Sequence, residues 1–250
     1  MKKFLSTLLA AAMCISLAAC GNNSTPSTSG GGSASSGGSG SAGGSGSGYT
    51  GGSYSISLGH ICSENHSLHL ASLKFKDFVE EQSGGAITVD VHPNGVLGGD
   101  EAMLESVALG TLTMVVPSAS VMNNYVDAFG ILAMPYLFTN TDDAFAAVDG
   151  ELGELLNQKL ADANVGLTNL GYNFNGIRNM TNKVRPIETP DDLKGLKMRC
   201  MSNEMFVTMF KLLGANATPM AWSELFTAMQ QGTVDGQENP IASIATSAFG

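Results

Sequence analysis

Apolar and polar residues alternate with a period of two at residues 54–60, YSISLGH, and again at Ile87, Val89 and Val91. Such alternation is typical of strands. Between the two runs a helical pattern begins near residues 63–66 and ends at the paired glycines 84 and 85. A strand, a helix and a strand at this spacing predict a βαβ unit with parallel strands and a right-handed crossover.

The same alternation of helix and strand continues to residue 172. The predicted elements are a helix over Asp100–Leu109 closed by Gly110, a strand over Thr113–Val116, a helix over Asp142–Asp162 capped by Thr141, and a strand over Val165–Tyr172. Between them lies the apolar run 129–138, FGILAMPYLF, which is predicted to be core.

We place a crossing into a second lobe at residues 173–176. The elements predicted after it are an extended segment over Ile177–Val184, a helix start at Thr189–Leu193, a strand over Leu196–Cys200, a helix over Asn203–Leu213, a strand over Ala215–Met220, a helix capped by Ser223 and stopped by Gly232, a strand over Thr233–Gln237 and a helix starting at Ile241. Pro219 restricts its strand to an edge or an end. Alternation in the segment 196–200 places Lys197 and Arg199 on one face, opposite three apolar residues.

The first 52 residues have a different character. Lys2 and Lys3 precede an apolar stretch that is too short for a good membrane span, which predicts a signal peptide over residues 1–20. Its end, Leu-Ala-Ala-Cys-Gly at 17–21, resembles a bacterial lipobox, and this resemblance implies a lipid anchor on Cys20; ordinary secretion with cleavage at small residues is the alternative. Residues 21–52, almost all Gly and Ser, predict a flexible linker.

Composition narrows the function classes. The chain is 43% hydrophobic and 14% charged, which suits an α/β protein with buried sheets. Its formal net charge of −10 argues against nucleic acid as a partner, although one buried arginine can still attract an anion. No nucleophile elbow, phosphate-binding glycine motif or convincing carboxylate pair is present, so the sequence does not indicate an enzyme and implies no cofactor.

Two small sets of side chains leave alternatives open. Cys62 and Cys200 either form a disulfide or are two partly buried free thiols, and we favour the thiols because distant cysteines need a specific geometry to bond. His66 and His69, with Glu64 nearby, have the spacing of a weak metal site. We favour a solvated first helical turn and predict no metal, because no third histidine is placed to help.

Two stretches, 189–199 (TPDDLKGLKMR) and 214–240 (GANATPMAWSELFTAMQQGTVDGQENP), resemble the DctP-type substrate-binding proteins of TRAP transporters. The resemblance implies a two-lobed α/β fold of the periplasmic-binding-protein type II class, with a mostly parallel sheet and flanking helices in each lobe and a hinge between them. Lobe I would be residues 53–175 and lobe II residues 176–250. Family members usually continue for many tens of residues, which implies that lobe II is incomplete and that the cleft need not be competent.

The resemblance also implies a set of residues that contact a ligand: Arg199, Arg178, Asn239, Trp222, His60 and Ser118. Arg199 would clamp a carboxylate, Arg178 would assist it and Trp222 would stack on the ligand. Without the resemblance, each has a plainer interpretation: the arginines would be solvated, Asn239 would belong to an Asn-Pro turn, and Trp222 would be core.

The function implied is a lipid-anchored receptor on the extracytoplasmic face of the cell membrane. It would bind a small organic acid, a C4-dicarboxylate or a related hydroxy or keto acid, and deliver it to the TRAP permease subunits. A carboxylate sensor and a non-functional fragment of a longer binding protein are the alternatives. The sequence does not identify the acid.

Overall fold

A computed structural model describes residues 49–247. The first sheet has three parallel strands, β1 (Tyr54–Gly59), β2 (Ile87–His92) and β3 (Met114–Val115), in the order β2-β1-β3. Tyr54 pairs with Ile87, and the parallel register continues to Gly59 and His92. The predicted parallel βαβ unit is therefore confirmed, with α1 (Ser67–Gln82) as its helix.

The second sheet has four strands in the order β4-β7-β5-β6, where β4 is Arg178–Asn182, β5 is Lys197–Cys200, β6 is Asn216–Pro219 and β7 is Gly236–Pro240. Strand β5 runs parallel to both neighbours, while β4 runs antiparallel to β7. Pro219 is the last residue of an edge strand, as its missing N–H requires. The described residues thus form two α/β lobes, as predicted.

Helices flank both sheets. Besides α1, they are α2 (Asp100–Ala108), α3 (Thr141–Val148), α4 (Glu151–Ala163), α5 (Glu204–Leu212), α6 (Trp222–Gln230) and α7 (Ile241–Thr246), with 3-10 helices at Ala119–Asn124, Asp127–Ala133 and Pro190–Leu193. No helix within residues 49–247 is long and apolar enough to span a bilayer.

The predicted alternation along β5 is confirmed and explains how the second lobe holds together. Leu196, Met198 and Cys200 are buried on one face and pack against Phe206 and Phe210 of α5. Burial of apolar side chains of this size stabilises a fold by about 1.5–3 kcal/mol each. The opposite face of β5 carries Lys197 and Arg199.

Two predicted elements of the first lobe are wrong. Residues 165–172 contain no strand, because Gly166 and Gly171 have φ values of +75° and +154°, which interrupt an extended backbone. The long helix 142–162 is two helices, α3 and α4, which are broken at Asp149 and Gly150. A Cβ on Gly153 would lie 1.8 Å from the carbonyl oxygen of Val148, so the two helices approach each other only because this residue is glycine.

Three smaller predictions also need correction. Asn140, not Thr141, caps α3, with its side-chain oxygen 2.8 Å from the Asp143 nitrogen. Ala221, not Ser223, precedes α6, because a Glu224 carboxylate oxygen accepts the Ala221 N–H. The run 129–138 is core only at its start, since Tyr136 is 96% exposed. Signal peptide, Cys20 and most of the linker lie outside the described residues.

Candidate functional site

A cavity lies where the two lobes meet. Its wall includes, from the first lobe, Cys62, His66, Asp100, Glu101 and Ser118, from the crossing between the lobes Asn175, and from the second lobe Arg178, Arg199, Trp222, Asn239 and Ser243. Several of these side chains come directly after a strand or at the start of a helix: Cys62 and Ser118 follow β1 and β3, and Asp100 and Trp222 begin α2 and α6. Arg178, Arg199 and Asn239 lie on the strands β4, β5 and β7. Strand ends and helix N-termini are where open α/β sheets bind ligands, because unpaired backbone groups point outward there.

Arg199 is the most deeply buried charge on this wall, with 2% of its surface exposed. Its hydrogen bonds within the described residues go from Nε and Nη2 to the carbonyl of Met220, at 3.1 and 2.9 Å, and none of them involves Nη1. Desolvation lowers the pKa of Arg199, and the negative charge of Glu238 opposes that shift. The solvated interpretation of this arginine is wrong.

Arg178 is already paired. Its guanidinium forms a forked ion pair with the carboxylate of Glu238, and Nη2 also donates to Asn239 Oδ1 at 3.0 Å. Asn239 in turn donates to Gln237 Oε1 at 2.5 Å. Of the two arginines on the cavity wall, Arg199 therefore has the charge that no ion pair within residues 49–247 neutralises.

Trp222 and Ser118 line the cavity from opposite lobes. The guanidinium carbon of Arg199 lies 5.9 Å from the Trp222 ring centroid, a distance at which a cation and a π system attract each other. The backbone nitrogen of Ser118 donates to an Asp100 carboxylate oxygen at 3.0 Å. Ser118 Oγ lies 3.0 Å from Ser120 Oγ.

His60 is the predicted site residue that the cavity wall does not include. It is completely buried behind the wall, and its Nε2 lies 3.1 Å from Nδ1 of His69. Burial, together with the neighbouring His69 and His66, lowers the pKa of His60 to about 4, so the ring is neutral near pH 7. The predicted contact of His60 with a ligand stays a prediction, and the position of His60 outside the cavity wall does not support it.

His66 and His69 are buried as well, so the solvated interpretation of this turn is wrong. His66 Nδ1 accepts the Leu68 N–H at 3.1 Å and thereby caps α1, while Nε2 lies 3.1 Å from Ser243 Oγ of α7. No group of three or more His, Cys, Asp or Glu side chains within residues 49–247 could hold a metal ion. Cys62 and Cys200 are free thiols, which the favoured interpretation predicted.

Sequence reasoning did not place several polar residues at the site, among them Glu238, Asp100 and His66. Glu238 lies one residue beyond the predicted strand Thr233–Gln237, and only the structure includes it in β7. For Asp100 the only signal was its place at a helix start, which equally fits an exposed acid that stabilises the helix dipole. Only the packing shows that Asp100 is 6% exposed.

The sequence model of the family described as "Bacterial extracellular solute-binding protein, family 7", DctP, matches residues 58–250. The chain belongs to this family. The DctP match covers the second sheet, the first sheet from Leu58 onward and every residue named above on the cavity wall.

Several curated relatives of this DctP chain are similar over about three quarters of its length. A solute-binding protein of Roseobacter denitrificans is 36% identical over 195 residues, which are 78% of this chain and 59% of the relative. The 2,3-diketo-L-gulonate-binding periplasmic protein of Escherichia coli is 34% identical, over 78% of this chain and 59% of its own. The C4-dicarboxylate-binding protein DctB of Bacillus subtilis is 35% identical, over 76% and 54%. The chain thus spans little more than half the length of these relatives.

Solved structures agree with the fold. A TRAP periplasmic solute-binding protein from Polaromonas, bound to D-erythronate, superposes with a TM-score of 0.75 at 38% identity, over 78% of this chain and 64% of that one. Another, from Sulfurospirillum deleyianum with bound succinate, has a TM-score of 0.75 at 32% identity, over 79% and 63%.

Proposed function

We propose that this chain acts as the extracytoplasmic solute-binding receptor of a TRAP-type transporter and binds a small organic acid in the cavity between its lobes. The acid is a C4-dicarboxylate or a related hydroxy or keto acid. The partners are the membrane permease subunits, and the role is binding and delivery rather than catalysis.

The observation that carries this proposal is the buried, unneutralised guanidinium of Arg199 on the cavity wall. A buried charge without a counter-ion is costly, and a ligand carboxylate relieves that cost. A planar guanidinium also matches a carboxylate in shape, so it fixes the orientation of the ligand as well as its charge. Arg178, held by Glu238, and the ring of Trp222 would complete the wall around the acid.

The names of similar proteins support an acid ligand. Neighbours with TM-scores of about 0.75 carry D-erythronate, galactonate or succinate in their solved complexes. These ligands share a carboxylate on a short carbon chain. For this chain, binding would bring the two lobes together around the acid by a hinge motion, and the closed form would present one surface to the permease.

The test is a titration of the purified chain with succinate, D-erythronate, galactonate and glucuronate. Trp222 is the only tryptophan, so its fluorescence reports on the cavity. We expect at least one acid to change this fluorescence and to raise the thermal midpoint, because a ligand at 100 times its Kd stabilises the folded state by about 2.7 kcal/mol. If none of the four acids does either, the receptor proposal fails.

Arg199→Gln is expected to weaken binding about 10- to 100-fold, because a hydrogen bond to a charged group contributes about 1.5–3 kcal/mol. Arg185→Gln is the matched control, since the exposed Arg185 donates to the carbonyls of Asp192 and Lys194 and lies outside the cavity wall. Unchanged affinity in a folded Arg199→Gln variant would remove Arg199 from the binding role.

We also propose that a lipid on Cys20 anchors the receptor to the extracytoplasmic face of the membrane. Several acyl chains bind a bilayer stably, at about 0.8 kcal/mol per buried CH₂ group. Labelling cells with radioactive palmitate should mark the chain and its Cys14→Ser variant but leave Cys20→Ser unmarked. Label retained on Cys20→Ser would refute the anchor at this residue.

A further inference from the structure

Asp100 is a carboxylate on the cavity wall that the proposed function has not used. It is the first residue of α2, and only 6% of its surface is exposed. Oδ2 accepts the Ser118 N–H at 3.0 Å. Oδ1 is buried and has no hydrogen-bond partner among the described residues. Buried acceptors without a donor are rare and unfavourable, and often belong to functional sites.

The charges around Asp100 come from both lobes. Arg199 of β5 attracts it and Glu101, the next residue of α2, repels it. Burial, and after it the charge of Asp100, raises the pKa of the nearby Cys62 thiol. No ion pair within 4.0 Å joins Asp100 to Arg199, although both line the same cavity. The wall thus carries a positive and a negative group that do not form an ion pair with each other.

This arrangement discriminates among organic acids by charge. One ligand carboxylate would satisfy Arg199, but a second carboxylate that extended across the cavity would meet the negative charges of the buried Asp100 and of Glu101. Like charges in such a place repel strongly. A hydroxyl in the same position instead donates its proton to Oδ1 of Asp100. Burial raises the pKa of Asp100 to about 6, so the group is mostly ionised near pH 7 and acts as an acceptor.

We propose that Asp100 is a specificity-determining residue that accepts a ligand hydroxyl and thereby selects hydroxylated monocarboxylates over dicarboxylates. The inference rests on the proposed function, since it needs Arg199 to hold the carboxylate. It narrows the ligand from any small organic acid to a monoanion with at least one hydroxyl group a few bonds from the carboxylate.

D-Erythronate and succinate are the probes, because both have four carbons: D-erythronate carries one carboxylate and three hydroxyls, whereas succinate carries two carboxylates and no hydroxyl. Calorimetric titration at pH 7 should give an affinity for D-erythronate at least about tenfold above that for succinate. Asp100→Asn keeps the shape and an acceptor for the Ser118 N–H but removes the charge. It should lower the ratio of the two affinities at least about tenfold, through weaker D-erythronate binding, stronger succinate binding or both.

Glu105→Gln is the matched control, since Glu105 is an exposed acid of the same helix outside the cavity wall. It should leave the ratio unchanged. Equal affinities in the unaltered chain, a preference for succinate, or the same ratio in a folded Asp100→Asn variant would each overturn this inference while leaving the receptor proposal standing. Failure of the chain to bind any acid of the four-member panel would overturn both.

Discussion

The two arginines on the cavity wall differ in whether an acidic side chain neutralises them. Arg199 and Arg178 both lie on its wall, yet their chemistry differs because Glu238 pairs with Arg178. The antiparallel pairing of β4 with β7 places Met180 opposite Glu238, so Arg178 reaches the carboxylate diagonally across the two strands. The pair neutralises one positive charge on the cavity wall, and the charge of Arg199 has no ion-pair partner within residues 49–247.

At this scale we predict that Glu238→Gln destabilises the chain by about 1–3 kcal/mol. The guanidinium of Arg178 would lose its counter-ion while its side chain, 27% exposed, stays mostly buried. A buried pair that loses one partner costs about 3–5 kcal/mol, and the partial exposure reduces that figure. Urea unfolding measures the change.

Glu188→Gln, an equal change of charge at an exposed acid, should alter the unfolding free energy by less than about 0.5 kcal/mol. Equal stability of the Glu238→Gln variant and the unaltered chain would mean that the ion pair contributes nothing to the fold.

At the scale of elements, α1 is held at its start by one histidine. His66 Nδ1 accepts the Leu68 N–H, so the remaining proton is on Nε2 and is donated to Ser243 Oγ of α7. A helix start in the first lobe is thereby joined to a helix in the second. Desolvation lowers the pKa of His66, which favours the neutral ring that this pair of hydrogen bonds requires.

We predict that His66→Ala lowers the unfolding free energy by about 1–3 kcal/mol, through loss of the helix cap and of the bond to Ser243. His66→Asn should recover part of this loss, because asparagine is among the best N-cap residues. Ser243→Ala isolates the second bond and should cost about 1 kcal/mol. Urea unfolding of the three variants is the measurement; an Asn variant as unstable as the Ala variant would refute the capping role.

The stability of the whole molecule depends on pH through buried groups with opposite effects: His60 and His66 act in one direction and Asp100 in the other. The pKa of His60 falls from 6.5 to about 4 on folding, so the unfolded chain binds this proton first and stability is lost as the pH falls through that range. The pKa of Asp100 rises from 3.8 to about 6, so the folded chain binds this proton first and stability increases as the pH falls from 6 to 3.8. The two effects have similar size.

The substitution Asp100→Asn removes the gain in stability that protonation of Asp100 gives as the pH falls. We predict that the variant is more stable than the unaltered chain at pH 7, by about 1–3 kcal/mol, and that it loses more stability on acidification to pH 4.5. Urea unfolding at pH 7, 5.5 and 4.5 tests this, with Glu105→Gln as the control that should follow the unaltered chain. Parallel stability profiles for Asp100→Asn and the unaltered chain would contradict the assignment.

The local pattern of apolar and polar residues was enough to predict the elements whose burial follows that same pattern. The parallel βαβ unit, the edge position of Pro219 and the two faces of β5 all follow from alternation and backbone chemistry, which act within a few residues. The family resemblance at 189–199 and 214–240 pointed to the two-lobed fold and drew attention to Arg199. The break between α3 and α4 escaped because Gly153 reads as a tolerated helical glycine until its contact with Val148 is seen.

By itself, then, the sequence determined most of the strands and helices, with the segment 165–172 and the break between α3 and α4 as the exceptions, and it determined which arginine lies opposite the apolar face of β5. Only the tertiary structure decided which charged side chains are paired and which are buried without a partner. Glu238 neutralises Arg178 from 60 residues away, Asp100 is buried opposite Arg199, and His66 reaches Ser243 across 177 residues. Burial and pairing are properties of distant segments brought together, and no local periodicity encodes them.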